Sequence, residues 1–222
     1  MRQPLALGVL LSGRGTNLQA LIEAIAAGQL DARIAVVVSN VASAPGLARA
    51  RSHGLAVATV AHGDFPSRDA FDARLVEILQ AHGVELVVLA GFMRLVTTTL
   101  LDAFPQRVLN IHPALLPAFP GLHAERQALA HGVRVTGVTV HFVDEETDHG
   151  PILVQAAVPV LPGDTEETLH ARVQAQEHRL YPLAVQLIAE GRVQVAGRHV
   201  HVRGRACAAD AALANPDPDA AG

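Results

Sequence analysis

The residues best suited to chemistry lie in Leu109-Asn110-Ile111-His112-Pro113. An apolar run that stops at a proline reads as a strand, because proline cannot continue a hydrogen-bonded ladder. Residues two apart on a strand project on the same face, so Asn110 and His112 point together while Ile111 points away. An amide donor beside an imidazole suits acyl chemistry. The amide can bond a carbonyl oxygen as it becomes an oxyanion, and the imidazole can move protons. The bland alternative is a polar pair at a strand end, satisfied by loop amides.

A second set of polar residues lies downstream in Asp144-Glu145-Glu146-Thr147-Asp148-His149-Gly150-Pro151, between two apolar runs. Glu145 and Glu146 read as solvated turn residues. One of the four carboxylates folded against His112 would favour its imidazolium form, and spacing does not select which. Metal binding is the competing use of such residues. The sequence has no His-Glu-x-x-His pattern, and His199-x-His201 sits close to the end of the chain, so no metal is expected.

The third candidate is Ser12-Gly13-Arg14-Gly15-Thr16-Asn17-Leu18-Gln19, between an apolar run and an amphipathic one. Its glycines allow close backbone approach, Thr16 with Gln19 fits a capping box, and the positive end of a helix would favour an anion. As a dinucleotide fingerprint it fails. Leu18 occupies the third glycine position, and Ser39-Asn40 stands where a ribose-binding acid is expected. The alternative is a tight strand-to-helix turn without a ligand.

Composition narrows the chemistry further. The 222 residues include no lysine, which removes Schiff-base catalysis and the Walker phosphate loop. The single cysteine, Cys207, excludes an intrachain disulfide and a thiolate zinc cage. A net charge of -4 argues against nucleic acid and anionic membrane as partners. No stretch has the roughly 20 apolar residues of a membrane span, and the apolar start is read as a buried strand, not a signal peptide. A cytoplasmic location follows as an expectation.

These residues must be positioned by alternating elements. Leu5–Leu11, Ile34–Val38 and Leu86–Ala90 are continuous apolar runs, as in strands covered on both faces. Asn17–Ala27, Ala44–His53 and Ser67–His82 have helical spacing, with Phe71, Leu75, Ile78 and Leu79 on one face of the last. The alternation predicts an α/β fold, a mostly parallel twisted sheet with helices on both faces. A fifth strand is expected at Arg107–His112. Antiparallel additions follow, with alternation in Val133–Val143 and a strand at Ile152–Val160. A helix capped near Asp164-Thr165 is expected to run to about Glu190, followed by a hairpin around Ala196-Gly197. The last 18 residues, 205–222, read as a disordered tail.

From about Leu7 to Glu190 the sequence resembles the phosphoribosylglycinamide formyltransferases, the folate-dependent transformylases of purine synthesis. The resemblance is carried by Ser12-Gly13-x-Gly15-Thr16-Asn17-Leu18, Ala90-Gly91-Phe92-Met93-Arg94 and Asn110-Ile111-His112-Pro113-Ala114-Leu115-Leu116-Pro117. It extends through Phe119-Pro120-Gly121-Leu122-His123, Gly137–Val143 and Gln176-Glu177-His178. It implies a Rossmann-like formyltransferase fold forming one catalytic domain over 1–204. Residues to about 105 would form the nucleotide-phosphate half and the rest the folate half. It implies formyl transfer from 10-formyltetrahydrofolate, a co-substrate, to glycinamide ribonucleotide without a metal, by a monomer or homodimer.

Residue by residue, the resemblance makes Asn110, His112 and Asp148 a catalytic trio. Gly15, Thr16 and Asn17 match the segment that holds the substrate phosphate, with Gln174 and Glu177 nearer the sugar and glycinamide. Arg68, Met93, Arg94, Leu95, Val96 and Asn110 match folate-binding positions. Asp144, Glu145, Glu146, Thr147 and Asp148 match the loop closing on the pterin. The family's Asp-Gly-Gly is Asp148-His149-Gly150 here, and Arg14 fills a variable slot where it would add charge near the phosphate. The remaining alternatives are formyltetrahydrofolate hydrolase, another folate-dependent formyltransferase, or a silent nucleotide-binding protein.

Overall fold

The computed structural model of the protein describes residues 3–204 and residue 213. The expected disordered tail at 205–222, Cys207 included, lies outside the described residues apart from Leu213. Strands β1 (Leu5–Leu11), β2 (Ala32–Ser39), β3 (Val57–Thr59), β4 (Leu86–Leu89) and β5 (Val108–His112) pair in parallel. Strands β6 (Val135–Phe142) and β7 (Ile152–Pro159) then add antiparallel. The sheet order is β3-β2-β1-β4-β5-β6-β7, and β8 (Val193–Ala196) with β9 (His199–Val202) forms a separate hairpin. This is the expected α/β architecture with antiparallel additions.

Helices cover both faces of the sheet. On one face α1 (Thr16–Ala26), α2 (Pro45–Ser52) and α6 (Glu166–Ala189) bring Leu18, Leu21, Leu47, Leu169, Val173 and Tyr181 against Leu7, Val9, Val88 and Leu109. On the other, α3 (Arg68–Ala81) packs the predicted stripe Phe71, Leu75, Ile78 and Leu79 against Leu10, Val36, Val38 and Val87. Burying each such side chain contributes roughly 1.5–3 kcal/mol. The fully buried Tyr181 hydroxyl is shared between the carbonyls of Leu89 (2.8 Å) and Leu109 (3.1 Å), tying α6 to the ends of β4 and β5. Among the described residues, no helix is long and apolar enough to cross a membrane.

Three local expectations change. The Thr16–Gln19 capping box does not form: α1 is N-capped by Gly15 at φ 71°, with no side-chain cap. Gly15 is required there, because a Cβ would meet the Gly46 backbone at 2.9 Å. Thr16 is thus the first helical residue, from which its hydroxyl cannot return to the third amide. The working capping box opens α6, between Thr165 and Thr168. Strand β6, despite its alternation, is buried on both faces. Val138, Val140 and Phe142 join the core that α6 completes, while Gly137 and Thr139 face the chain returning after His112. The helices α4 (Thr98–Ala103) and α5 (Ala124–His131) and the short β3 were not expected; each is too short for clear periodicity.

The chain after His112 is anchored by Thr139. Its buried hydroxyl donates to Ala114 O (2.7 Å) and accepts from Leu116 N (3.0 Å) and Gln155 Nε2 (2.9 Å). Thr139→Val keeps the shape and orphans those partners. An orphaned buried group costs about 1–3 kcal/mol, so urea denaturation should show a loss of that size. A loss below about 0.5 kcal/mol would mean that this anchor is dispensable.

Candidate active site

Open parallel sheets bind ligands beyond their strand C-termini, where the strand order reverses. Here β1 sits beside both β2 and β4, and a cleft of about 680 Å³ opens at that place. One wall is the turn after β1, with Gly15, Thr16 and Asn17, facing Gln174 and Glu177 of α6. The other carries Met93, Arg94, Leu95 and Val96 after β4, Asn110 and His112 of β5, and the loop with Asp144, Glu145, Glu146, Thr147 and Asp148. Arg68 is the exception. It opens α3, is exposed, and does not line the cleft.

Ser12 fastens these walls together. Its hydroxyl donates to Asn40 Oδ1 (2.6 Å) and accepts from Met93 N (2.8 Å), while its amide donates to Gly91 O (2.9 Å). Asn40 therefore serves the scaffold at the place where a dinucleotide site would offer an acid.

His112 is 4% exposed. Its Nδ1 lies 3.3 Å from Asp148 Oδ2 and its Nε2 lies 2.8 Å from Phe119 O. Both ring nitrogens face acceptors, an arrangement that only the doubly protonated ring satisfies with two donors. Asp148 also accepts from Gly121 N at 2.7 Å. Its other oxygen accepts from Asn110 Nδ2 at 3.3 Å and stands 3.7 Å from His141 Nε2. Burial raises the Asp148 pKa, but His141, the Gly121 amide and the positive field of His112 outweigh it, so the carboxyl lies below its ordinary value. Of the four acids, Asp148 is the one folded against His112.

His141 lies in the motif Gly137–Val143, which gives it no role by itself. It faces Asn110 across the β5–β6 ladder, with Nδ1 2.9 Å from Phe142 O and Nε2 3.2 Å from Asn110 Nδ2. Only the register between two strands reveals this place. The Asn110 amide nitrogen thus lies between His141 and Asp148, in contacts long enough to exchange for a better acceptor.

The acid loop is held from outside. His149 Nδ1 lies 2.9 Å from Asp144 Oδ2, and Arg198, between β8 and β9, donates to His149 O at 2.8 Å. This gives His149 a place: it staples the loop to the hairpin. Gly150 leaves no room for a Cβ against the Phe142 carbonyl, and Asp148 adopts φ 52°. The loop conformation thus over-determines where the carboxylate points.

At the other wall, Glu177 is 7% exposed and accepts from Asn17 Nδ2 at 3.2 Å. Burial, with a smaller push from Glu125, raises its carboxyl to about 7 against the opposing Asn17 bond and His170. Asn17 Oδ1 is buried without a partner among the described residues. Three apolar side chains of the cleft, Met93, Leu95 and Leu122, are well exposed, Met93 at 63%. Among the described residues, no group of three or more His, Cys, Asp or Glu is arranged to hold a metal ion.

An uncapped helix start, an imidazole–carboxylate pair with an amide beside it, and an apolar shelf define a group-transfer site on a Rossmann-like sheet. Comparison with known proteins gives the particular kind. Residues 6–185 match the formyl transferase family. The chain is 46% identical over 187 residues to the phosphoribosylglycinamide formyltransferase of Escherichia coli, covering 84% of this chain and 88% of that one. It is 50% identical over 196 residues to the protein of that name from Mycobacterium tuberculosis, covering 88% and 90%. The crystal structure of glycinamide ribonucleotide transformylase 1 from Symbiobacterium toebii superposes with a TM-score of 0.89 at 56% identity, covering 91% and 95%. The chain belongs to the formyl transferase family.

The raised Glu177 pKa has a defined effect on stability. A carboxyl whose folded pKa exceeds the unfolded 4.5 stabilises the fold below pH 4.5, and that contribution is lost as pH rises towards 7. Glu177→Gln removes this loss. Urea denaturation should therefore show the variant gaining roughly 2–3 kcal/mol on the parent between pH 4.5 and 8. Parallel stability curves across that range would overturn the assignment.

Proposed function

We propose that the protein transfers the formyl group of 10-formyltetrahydrofolate to the primary amine of glycinamide ribonucleotide, a step of purine biosynthesis. The observation that carries this reading is the meeting of Asn110, His112 and Asp148 in one cleft, from positions up to 38 residues apart. The names of the relatives support the ribonucleotide acceptor and the formyl group, and the motif resemblance supports the folate donor. Residues 1–204 act as one catalytic unit in this reading, with residues to about 105 contributing the phosphate end. The exposed Met93, Leu95 and Leu122 fit a flat heteroaromatic ring, which would cover apolar surface otherwise left in water.

The bound formyl-folate supplies an electrophilic carbon, and the side chains manage charge and protons around it. The uncapped amides at the start of α1 take the phosphate of the ribonucleotide. Glu177 and Gln174 hold the sugar and glycinamide portion, leaving the amine aimed along the cleft. Asn110 exchanges its long contacts for the formyl oxygen as negative charge develops there. His112, oriented by Asp148 at Nδ1, as an imidazolium stabilises that oxygen or donates a proton to the departing folate nitrogen. The attacking amine's proton returns to the His112 imidazole by way of solvent, so the step balances without a covalent enzyme intermediate.

Removing one oxyanion donor costs about a hundred- to a thousandfold in kcat. Asn110→Ala and His112→Ala should each lose that much in a ribonucleotide-dependent formyl-transfer assay, and near-parental turnover in both would overturn their roles. The wild-type assay tests the substrate: release of formate independent of ribonucleotide would make the protein a formyltetrahydrofolate hydrolase instead.

A further inference from the structure

At the phosphate end, Arg14, His170 and Glu125 are not used by this mechanism. Arg14, exposed in the turn after β1, places its guanidinium 3.4 Å from His170 Nε2 on α6. Gln174, one helical turn on, brings its amide nitrogen to 3.3 Å from the same ring nitrogen and donates to Thr16 Oγ1 at 3.2 Å. The other ring nitrogen, His170 Nδ1, is 2.8 Å from Oε1 of Glu125 on α5, a residue only 7% exposed. With Nδ1–H given to Glu125, Nε2 presents a lone pair. A guanidinium and an amide NH2 therefore crowd onto one neutral acceptor, at distances beyond those of a good hydrogen bond. The cluster has more donors than acceptors, and it lines the cleft beside the uncapped start of α1. Next to it, the buried Asn17 Oδ1 has no partner among the described residues.

A phosphate monoester carries close to two negative charges near neutral pH, more than the half-charge of a helix end can offset. In a chain without lysine the balance must come from arginine or histidine. Arg14 and His170 are the pair that the hydrogen bonds bring against Thr16 and Gln174. We propose that Arg14 and His170, the latter backed by Glu125, form the cationic half of the site for the substrate's phosphate group. This rests on the ribonucleotide reading above and adds residues that the motif comparison did not mark as binding. The phosphate replaces His170 Nε2 as acceptor for Arg14, while Gln174 stays with the sugar. His170 then takes a proton from solvent at Nε2 and donates it to a phosphate oxygen, while Glu125 balances the imidazolium. The other acid at this end, Glu177, is engaged by Asn17.

Steady-state kinetics of the full chain, with inorganic phosphate as competing anion, test the assignment. Arg14→Ala and His170→Ala should each raise the KM for the ribonucleotide about tenfold, the size of one charge-assisted hydrogen bond. Each should weaken inhibition by inorganic phosphate by a similar factor, with the loss carried by KM and not by kcat. Glu125→Gln should move both quantities the same way as His170→Ala. Because Arg14 is exposed and lies outside the α5–α6 contact, its variant keeps the proposal falsifiable should the others fold poorly. Parental KM and parental phosphate inhibition in Arg14→Ala and His170→Ala would overturn it. So would an equal loss with the phosphate-free riboside as acceptor, which would mark the cluster as scaffold. If the wild type transfers no formyl group to the ribonucleotide, the functional reading fails instead. Calorimetric binding of inorganic phosphate to wild type and Arg14→Ala would then still decide the role of the pair.

Discussion

The site depends on one buried carboxylate. Asp148 accepts from the Gly121 amide, faces the His112 ring with the same oxygen, and meets Asn110 and His141 with the other. Taking an ion out of water costs several kcal/mol unless its lone pairs are matched by donors, so each of these groups is held in place by the penalty of leaving it. The carboxylate joins the end of a parallel strand, the loop that follows it and the turn between two antiparallel strands. Those segments are distant in sequence, and the ion is where they agree on a geometry. The surroundings leave the loop little choice, since Gly150 lies against the Phe142 carbonyl and Asp148 itself sits at positive φ.

The change from parallel to antiparallel pairing at β5 makes this possible. A sixth parallel strand would have needed a crossover helix. Because β6 runs back along β5, it ends with Phe142 opposite Leu109, and the loop that leads on to β7 brings Asp148 against Asn110 and His112. The same pairing places His141 opposite Asn110. The cleft is thus polarised along its length. At one wall are helix amides, Arg14 and His170, suited to an anion; at the other are acids, an imidazole and apolar side chains, suited to a ring with a reactive nitrogen.

Much of the scaffold was legible in the chain because it rests on local signals. The continuous run Leu5–Leu11 became β1 with both boundaries as read, and the face Phe71, Leu75, Ile78 and Leu79 is buried as its spacing requires. Where local signals compete, the reading failed. Thr16 and Gln19 have the types of a capping box, yet a left-handed Gly15 takes the cap position and shifts the frame by one residue. The alternation of β6 does not tell which faces are covered, and the chain returning after His112 covers the one that holds Gly137 and Thr139.

The order of elements, their periodicities and the identity of the chemically able residues are properties of neighbouring residues, so the amino-acid sequence determined them: a strand ending in Asn110 and His112, a glycine turn free to meet an anion, an acid-rich loop. Which acid serves the imidazole, that His141 stands behind Asn110, and that Glu125, His170 and Arg14 form one chain of contacts were decided by tertiary structure. These pairings span 31 to 156 residues. Their energy depends on strand register, helix docking and exclusion of water, which exist only once the whole sheet has closed.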